Sequence, residues 1–304
     1  MQPPKKILIA RGGAIGDFIL TLPVFTALRS KFPKAHLATL TGQAAGALAE
    51  HGHAVDDAQD LDASAWAGFF AEGAELDLSA CDWLASFDCI ISFLHDPHGV
   101  WQRNAGKVTE ANFYCGESKP DAFPYAHASQ SLLNALKPLG IVDADPVARL
   151  QWPNPPKPSS VVTVHPGSGS AAKNWPEAKW IQLINEMLSG GIAVRVVGGE
   201  AEIDRLQHIR DRFKTEKLTI IQNQPLESVA QSMAGCAAFI GHDSGITHLA
   251  SALGLNCIVL WSETNQTVWR PLSKGVEIIS NQAGIEFIEP EQVKNILQKF
   301  LPIH

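Results

Sequence analysis

The chain reads as two consecutive α/β domains, each a doubly wound parallel β-sheet with helices on both faces, and three observations point there. Short apolar runs alternate with longer stretches of helical spacing, from KILIA at 6–10 to CIVLW at 257–261. A proline-rich stretch, QWPNPPKPSS at 151–160, breaks the alternation with four prolines in ten residues, which suits an extended linker and neither a core helix nor a central strand. With 304 residues, 45% hydrophobic and 18% charged, the chain is long enough to build two cores. The domains are therefore placed at 1–150 and 151–304, the last helix being free to pack back on the first. Two such sheets are expected to face each other across a cleft, since ligands of open α/β sheets bind at the carboxyl ends of the strands.

The first domain opens with the strand KILIA, the glycine-rich turn RGGAIGD and the helix FILTLPVFTALRSKFP, whose apolar positions Ile19, Leu20, Val24, Phe25 and Leu28 are closed by Arg29, Lys31 and Pro33. The turn lacks G-x-G-x-x-G spacing, so a dinucleotide fingerprint is not supported. A strand AHLATL at 35–40, alanine-rich helices near 43–50 and 64–71, a strand DCIISFL at 88–94 and a helix SQSLLNALKPLGI at 129–141 follow. Between the last two, 95–126 is rich in His, Asn, Gly, Pro and aromatics without clear periodicity, as loops near a site often are.

Beyond the linker the pattern restarts with strands SVVTVHPG, AVRVVGG, LTII, AAFIG and CIVLW. Alternating with them are helices PEAKWIQLINEMLSGG, AEIDRLQHIRDRF, LESVAQSMAG and HLASALG, and a last helix spans about 289–302. Two loops at strand ends are built for an anion. In HPGSGSAAKNWP, 165–176, Gly167, Ser168, Gly169 and Ser170 offer backbone N–H groups and hydroxyls without bulk, and Lys173 adds a positive charge before the Pro176 helix start, a set that suits a diphosphate. In GHDSGITHLASALG, 241–254, Asp243 or Ser244 can cap the helix, Gly245 lets a ligand approach, and the free N–H groups of the first turn favour negative charge.

Composition excludes several function classes. A net charge of −7 and a pI near 5.9 argue against a nucleic-acid partner, which usually meets a basic face. No apolar run reaches the roughly 18 residues of a membrane span, and Lys5-Lys6 lead straight into a strand rather than a signal-peptide core, so a cytoplasmic location is expected. Cys81, Cys89, Cys115, Cys236 and Cys257 form no C-x-x-C pair and read as buried free thiols. No metal site is expected. The acidic triplets D-L-D at 60–62 and D-A-D at 143–145 do not follow a convincing strand, and the pairs His51/His53 and Asp96/His98 lack further ligands.

Taken together, RGGAIGDFILTLP, HPGSGSAAKNWP and GHDSGITHLASALG resemble, in order and separation, the three signatures of glycosyltransferase family 9, the lipopolysaccharide heptosyltransferases. The resemblance implies a GT-B architecture of two Rossmann-like domains. It further implies an inverting transfer without metal or cofactor, in which an ADP-activated heptose is the donor and a lipopolysaccharide-core or related glycan the acceptor. Asp17, in the I-G-D match, would be the general base. Ser168, Ser170 and Lys173 would hold the donor diphosphate, Asp243, Ser244, Gly245 and His248 would line the donor site, and Glu202 in GGEAEIDR would hold donor hydroxyls. Membrane contact would be at most peripheral, at the inner face of the inner membrane. The chemistry fits those roles, because an inverting transfer needs one base for the attacking hydroxyl and positive charge for the departing diphosphate.

The chain departs from the family's pattern after the strand CIVLW. Where members run G-P-T-x-P, it has WSETNQTVWRP at 261–271, with Ser262 and Glu263 in place of Gly-Pro, and an acidic side chain near a diphosphate repels it. Two alternatives therefore stand beside transfer: a sugar-nucleotide epimerase or hydrolase on the same scaffold, and a non-catalytic nucleotide-sugar-binding relic.

Overall fold

In the computed structural model, which describes residues 3–120 and 126–301, the chain divides into two compact units, 1–147 and 148–304. Residues 121–125 of the irregular 95–126 stretch and residue 302 of the expected last helix lie outside the described residues.

The first unit is a parallel sheet in the order β3-β2-β1-β4-β5. Its strands are β1 (Lys6–Ala10), β2 (His36–Thr41), β3 (Asp57–Asp60), β4 (Cys89–Ser92) and β5 (Asn112–Cys115). β1 pairs in register with both β2 and β4, Ile9 lying opposite Thr39 and Ile91. Its residues Ile7 to Ala10 are wholly buried, so an unbroken apolar run is what a strand covered on both faces requires. Leu8, Ala10, Leu40 and Ile90 point to one face and pack with Trp66, Phe69, Leu84 and Trp101, from a 3₁₀ segment at Ser64–Phe70 and from helices α3 (Leu78–Ala85) and α4 (Val100–Ala105). Helices α1 (Ile15–Lys31), α2 (Gln43–His51) and α5 (Ala128–Leu133) belong to the other side, where the buried Ser129 hydroxyl donates to Leu20 O at 2.9 Å.

The second unit has six parallel strands in the order β11-β10-β9-β6-β7-β8. They are β6 (Val162–His165), β7 (Val194–Gly198), β8 (Leu218–Gln222), β9 (Ala238–His242), β10 (Cys257–Trp261) and β11 (Val276–Ser280). The chain runs outward from β6 to β8, returns to the other flank of β6 as β9, and runs outward again. The order therefore reverses between β6 and β9, the switch point at which such sheets open a crevice. Alternate residues Val162, Val164, Ile240, Ile258 and Leu260 pack with Trp180, Leu183 and Ile184 of α6 (Glu177–Ser189), Leu206 and Ile209 of α7 (Ile203–Arg212), and Val293 and Leu297 of α11 (Pro290–Phe300). The last helix thus completes the core of its own unit. Helices α8 (Leu226–Met233) and α9 (Gly245–Ala252) belong to the opposite face, and α10 (Gln266–Trp269) is a single turn after β10.

Several expectations need correction. The stretch 95–126 is not wholly irregular, since it holds α4 and β5. The D-L-D triplet does follow a strand, because Asp60 closes β3, a half-buried edge strand of sequence DAQD with no apolar run to announce it. The helix expected over 64–71 is a 3₁₀ segment, and that over 129–141 is α5 continued by a 3₁₀ segment at Asn134–Leu139. The cysteines are free but not uniformly buried: Cys115 is exposed at the end of β5 and Cys81 is half-buried. Burial pushes the Cys89 thiol up to about 12, which leaves it inert at neutral pH. Among the described residues no helix is long and apolar enough to cross a membrane.

Candidate functional site

Both anion-ready loops of the second unit leave the sheet at its switch point, one from β6 and the other from β9, and the side chains join them. Lys173 Nζ lies 2.8 Å from Asp243 Oδ2, an ion pair whose carboxylate is only 9% exposed while the lysine keeps a third of its surface open. Ser244 is the N-cap of α9, accepting the Thr247 N–H at 3.4 Å, so of the two capping candidates it is the serine that caps and the aspartate that pairs. Gly245 is the first residue of α9, and His248 lies buried within it.

The β6 loop is folded upon itself. The Ser168 hydroxyl accepts the Ser170 N–H at 3.3 Å and lies 2.7 Å from Ser170 O and 2.9 Å from Asn174 Oδ1. Its hydrogen-bonding capacity goes largely to shaping the loop, while Ser170 is exposed. Lys173 ends a 3₁₀ turn at Ala171–Lys173 and donates its N–H to Ser170 O.

Glu202 closes the other side, after β7. It is 8% exposed, its Oε2 accepts the Gly199 N–H at 2.8 Å, and His165 Nε2 stands 3.9 Å away. His165 and the Gly199 amide hold its carboxyl below the ordinary range against the opposing effect of burial, so Glu202 stays an acceptor for hydroxyl groups. Its side chain lies directly against Gly167, where a Cβ would overlap it, which explains a glycine at that position. Arg205 donates to Pro166 O and fixes the start of the loop.

Sequence reasoning missed His242, the last residue of β9. It is fully buried, its Nε2 accepts the Trp175 N–H at 2.8 Å, and its Nδ1 meets Gly167 O at 2.9 Å. A carbonyl can only accept, so Nδ1 carries the proton and the ring is neutral. Burial pushes its pKa down to about 3. The signal was its place between an apolar strand and the D-S-G turn.

In the first unit the glycine-rich turn follows β1, again beside the strand where the order reverses. Gly13 has φ of +100°, a conformation that favours glycine, and the Asp17 side chain packs against it. Asp17 is the third residue of α1 rather than its cap, and its Oδ2 accepts the Ala14 N–H at 3.0 Å. Its Oδ1 lies 3.3 Å from Nη2 of Arg11, which is 2% exposed, and the aspartate keeps 30% of its side chain open. Arg11 Nη1 reaches Ser118 O at 3.1 Å and Phe93 O at 3.4 Å, tying the ends of β1, β4 and β5 together. Burial lowers the guanidinium pKa and the charge of Asp17 opposes that shift. Asp17 is therefore an open carboxylate held at two points, a geometry suited to accepting a proton from a hydroxyl.

Ser262 and Glu263 follow β10, next to β9. Glu263 is exposed and its N–H donates to Ser262 Oγ at 2.6 Å. Among the described residues no three His, Cys, Asp or Glu side chains gather as a metal ion would require.

Comparison with known proteins gives this arrangement a family. Residues 112–297 match glycosyltransferase family 9 (heptosyltransferase). The chain is 31% identical over 125 residues to lipopolysaccharide heptosyltransferase 1 of Pseudomonas aeruginosa, covering 41% of this chain and 32% of that protein. It is 22% identical over 311 residues to a putative glycosyltransferase of Haemophilus influenzae, covering 88% and 86%. Matches to Pseudomonas aeruginosa and Escherichia coli heptosyltransferase 1 span only about a third to two fifths of those proteins. In fold, the Escherichia coli heptosyltransferase WaaC solved with ADP superposes with a TM-score of 0.79 at 18% identity, over 97% of this chain and 99% of that one. Escherichia coli ADP-heptose lps heptosyltransferase II does so with 0.75 at 15%, over 97% and 98%. The two parallel-sheet α/β domains are thus those of the GT-B architecture, and the chain belongs to glycosyltransferase family 9.

Proposed function

We propose that the protein is an inverting, metal-independent glycosyltransferase that moves a heptose from ADP-heptose to a lipopolysaccharide-core or related glycan. The observation that carries this reading is the meeting of two anion-ready loops at the switch point of the second unit, with Lys173 and the first turn of α9 beside each other. A diphosphate there draws on the Lys173 charge, on loop amides at 168–170 and on the α9 N-terminus, and the same groups stabilise the negative charge that develops as it leaves. Glu202, in the turn after the neighbouring strand β7, accepts hydrogen bonds from donor hydroxyls. Asp17 takes the proton of the acceptor hydroxyl as it attacks the anomeric carbon. Relatives solved with ADP and with ADP-2-deoxy-2-fluoro heptose support the choice of nucleotide and sugar. Transfer takes place on the cytoplasmic side of the membrane, with at most peripheral contact.

The test is release of ADP from ADP-heptose with and without a heptose-deficient lipopolysaccharide core, in chelator. Acceptor-dependent release that Asp17→Asn lowers by about a hundredfold or more supports the reading. Release of free heptose or an epimer without an acceptor points to the hydrolase or epimerase, and binding without turnover points to the relic.

A further inference from the structure

The loop 166–175 must present its amides and Lys173 in one shape, yet it is rich in glycine and serine, and Gly169, Ser170 and Ala172 are exposed. Glycine loses the most conformational freedom on ordering, so such a loop left to itself samples many shapes and weakens any ligand that needs one. Something has to hold it. Among the described residues the hydrogen bonds inside the loop run from Ser168 to Asn174. Its two ends, Gly167 and Trp175, are held by one imidazole.

We infer that His242 is a positioning residue that clips both ends of the 166–175 loop into the shape the ligand site uses, a role that rests on the nucleotide-sugar reading for its ligand. The ring stands edge-on to Trp180, with centroids 5.4 Å apart and planes at 82°, so its orientation is fixed by packing. Its own carbonyl accepts the Thr247 hydroxyl from α9, which locks the end of β9 to the helix that Ser244 caps. Trp175, anchored through Nε1 to Ile288 O at 3.0 Å, gives the far end of the loop a rigid base. His242 thus joins the β6 loop to β9 across the switch point, and the next residue, Asp243, joins them a second time through Lys173. The imidazole touches no ligand surface, being fully buried, and works through the backbone it holds.

Three variants separate this role from plain packing. His242→Phe removes both hydrogen bonds, His242→Asn keeps a donor for Gly167 O, and His242→Gln keeps an acceptor for the Trp175 N–H. The expected result is ADP binding weakened about ten- to a hundredfold in the phenylalanine variant and by less in the other two, with amide exchange faster at 167–175 in all three. In the wild type the Trp175 amide is expected to exchange far more slowly than the loop amides. Folded variants that bind ADP as the wild type does overturn the inference. If all three fail to fold, a Trp175 amide in the wild type that exchanges as fast as the loop amides overturns it. Wild-type protein that binds no nucleotide overturns the nucleotide-sugar reading instead, while the exchange data still decide whether His242 orders the loop.

Discussion

Lowering the pH should weaken the second unit through His242 in a way that a non-titrating replacement removes. The folded ring takes up a second proton only below about pH 3, whereas an unfolded histidine does so near about 6.5, so between those values the unfolded state binds the extra proton. Stability from this group is thus complete above the unfolded pKa and is lost progressively as pH falls toward 3. The linkage amounts to roughly 2 kcal/mol between pH 7 and pH 5. For a domain of this size that is a Tm shift of about 4–8 °C. Thermal unfolding of the wild type and of His242→Gln, followed at pH 7, 6 and 5, gives the difference directly. The glutamine variant starts lower at pH 7 and falls less, so the two curves converge on acidification. Parallel curves would refute the burial and the neutral ring, and with them the two hydrogen bonds that depend on Nδ1 carrying the only proton.

Further outcomes follow from the same geometry. Arg11→Lys cannot reach Ser118 O, Phe93 O and Asp17 together, so it should lower transfer more than tenfold while leaving ADP affinity within about twofold, measured by kinetics and titration side by side. Gly167→Ala should displace Glu202 and weaken binding of an ADP-sugar about tenfold or more, with a smaller effect on inorganic diphosphate. Ser244→Ala removes a long capping bond and should cost about 0.5 kcal/mol by urea unfolding, the low end for such caps. Glu263→Gly should tighten ADP binding about two- to fivefold at low salt, with the gain fading at high salt, since an exposed charge acts through screened water.

The alternation of apolar runs and helical stretches made the central strands β1, β4, β6, β9 and β10 legible, because strands buried on both faces must be continuously apolar. The edges of the first sheet were not legible. β3 is DAQD and β5 is NFYC, neither an apolar run nor a clean alternation, and each becomes a strand only because a neighbour offers its backbone. In the site, capping chemistry and glycine content located both loops that meet at the switch point. What those cues could not give was the pairing between the loops. Lys173 finds Asp243 and His242 finds both Gly167 and Trp175 across about seventy positions of sequence, through a strand order that no local pattern encodes. Arg11 opens the glycine-rich turn, and its grip on the ends of β4 and β5 follows from sheet order as well.

The most direct test of the central claim, that the switch point of the second unit holds the diphosphate of an ADP-sugar, is calorimetric titration of the protein with ADP, UDP, GDP and dTDP in chelator, repeated on Lys173→Ala. Removing the lysine takes the positive charge from the site and leaves the nearly buried Asp243 unpaired beside the incoming phosphates. The expected result is a preference for ADP and a loss of about ten- to a hundredfold in the variant. Absence of nucleotide binding in the wild type, or equal binding in Lys173→Ala, would contradict it.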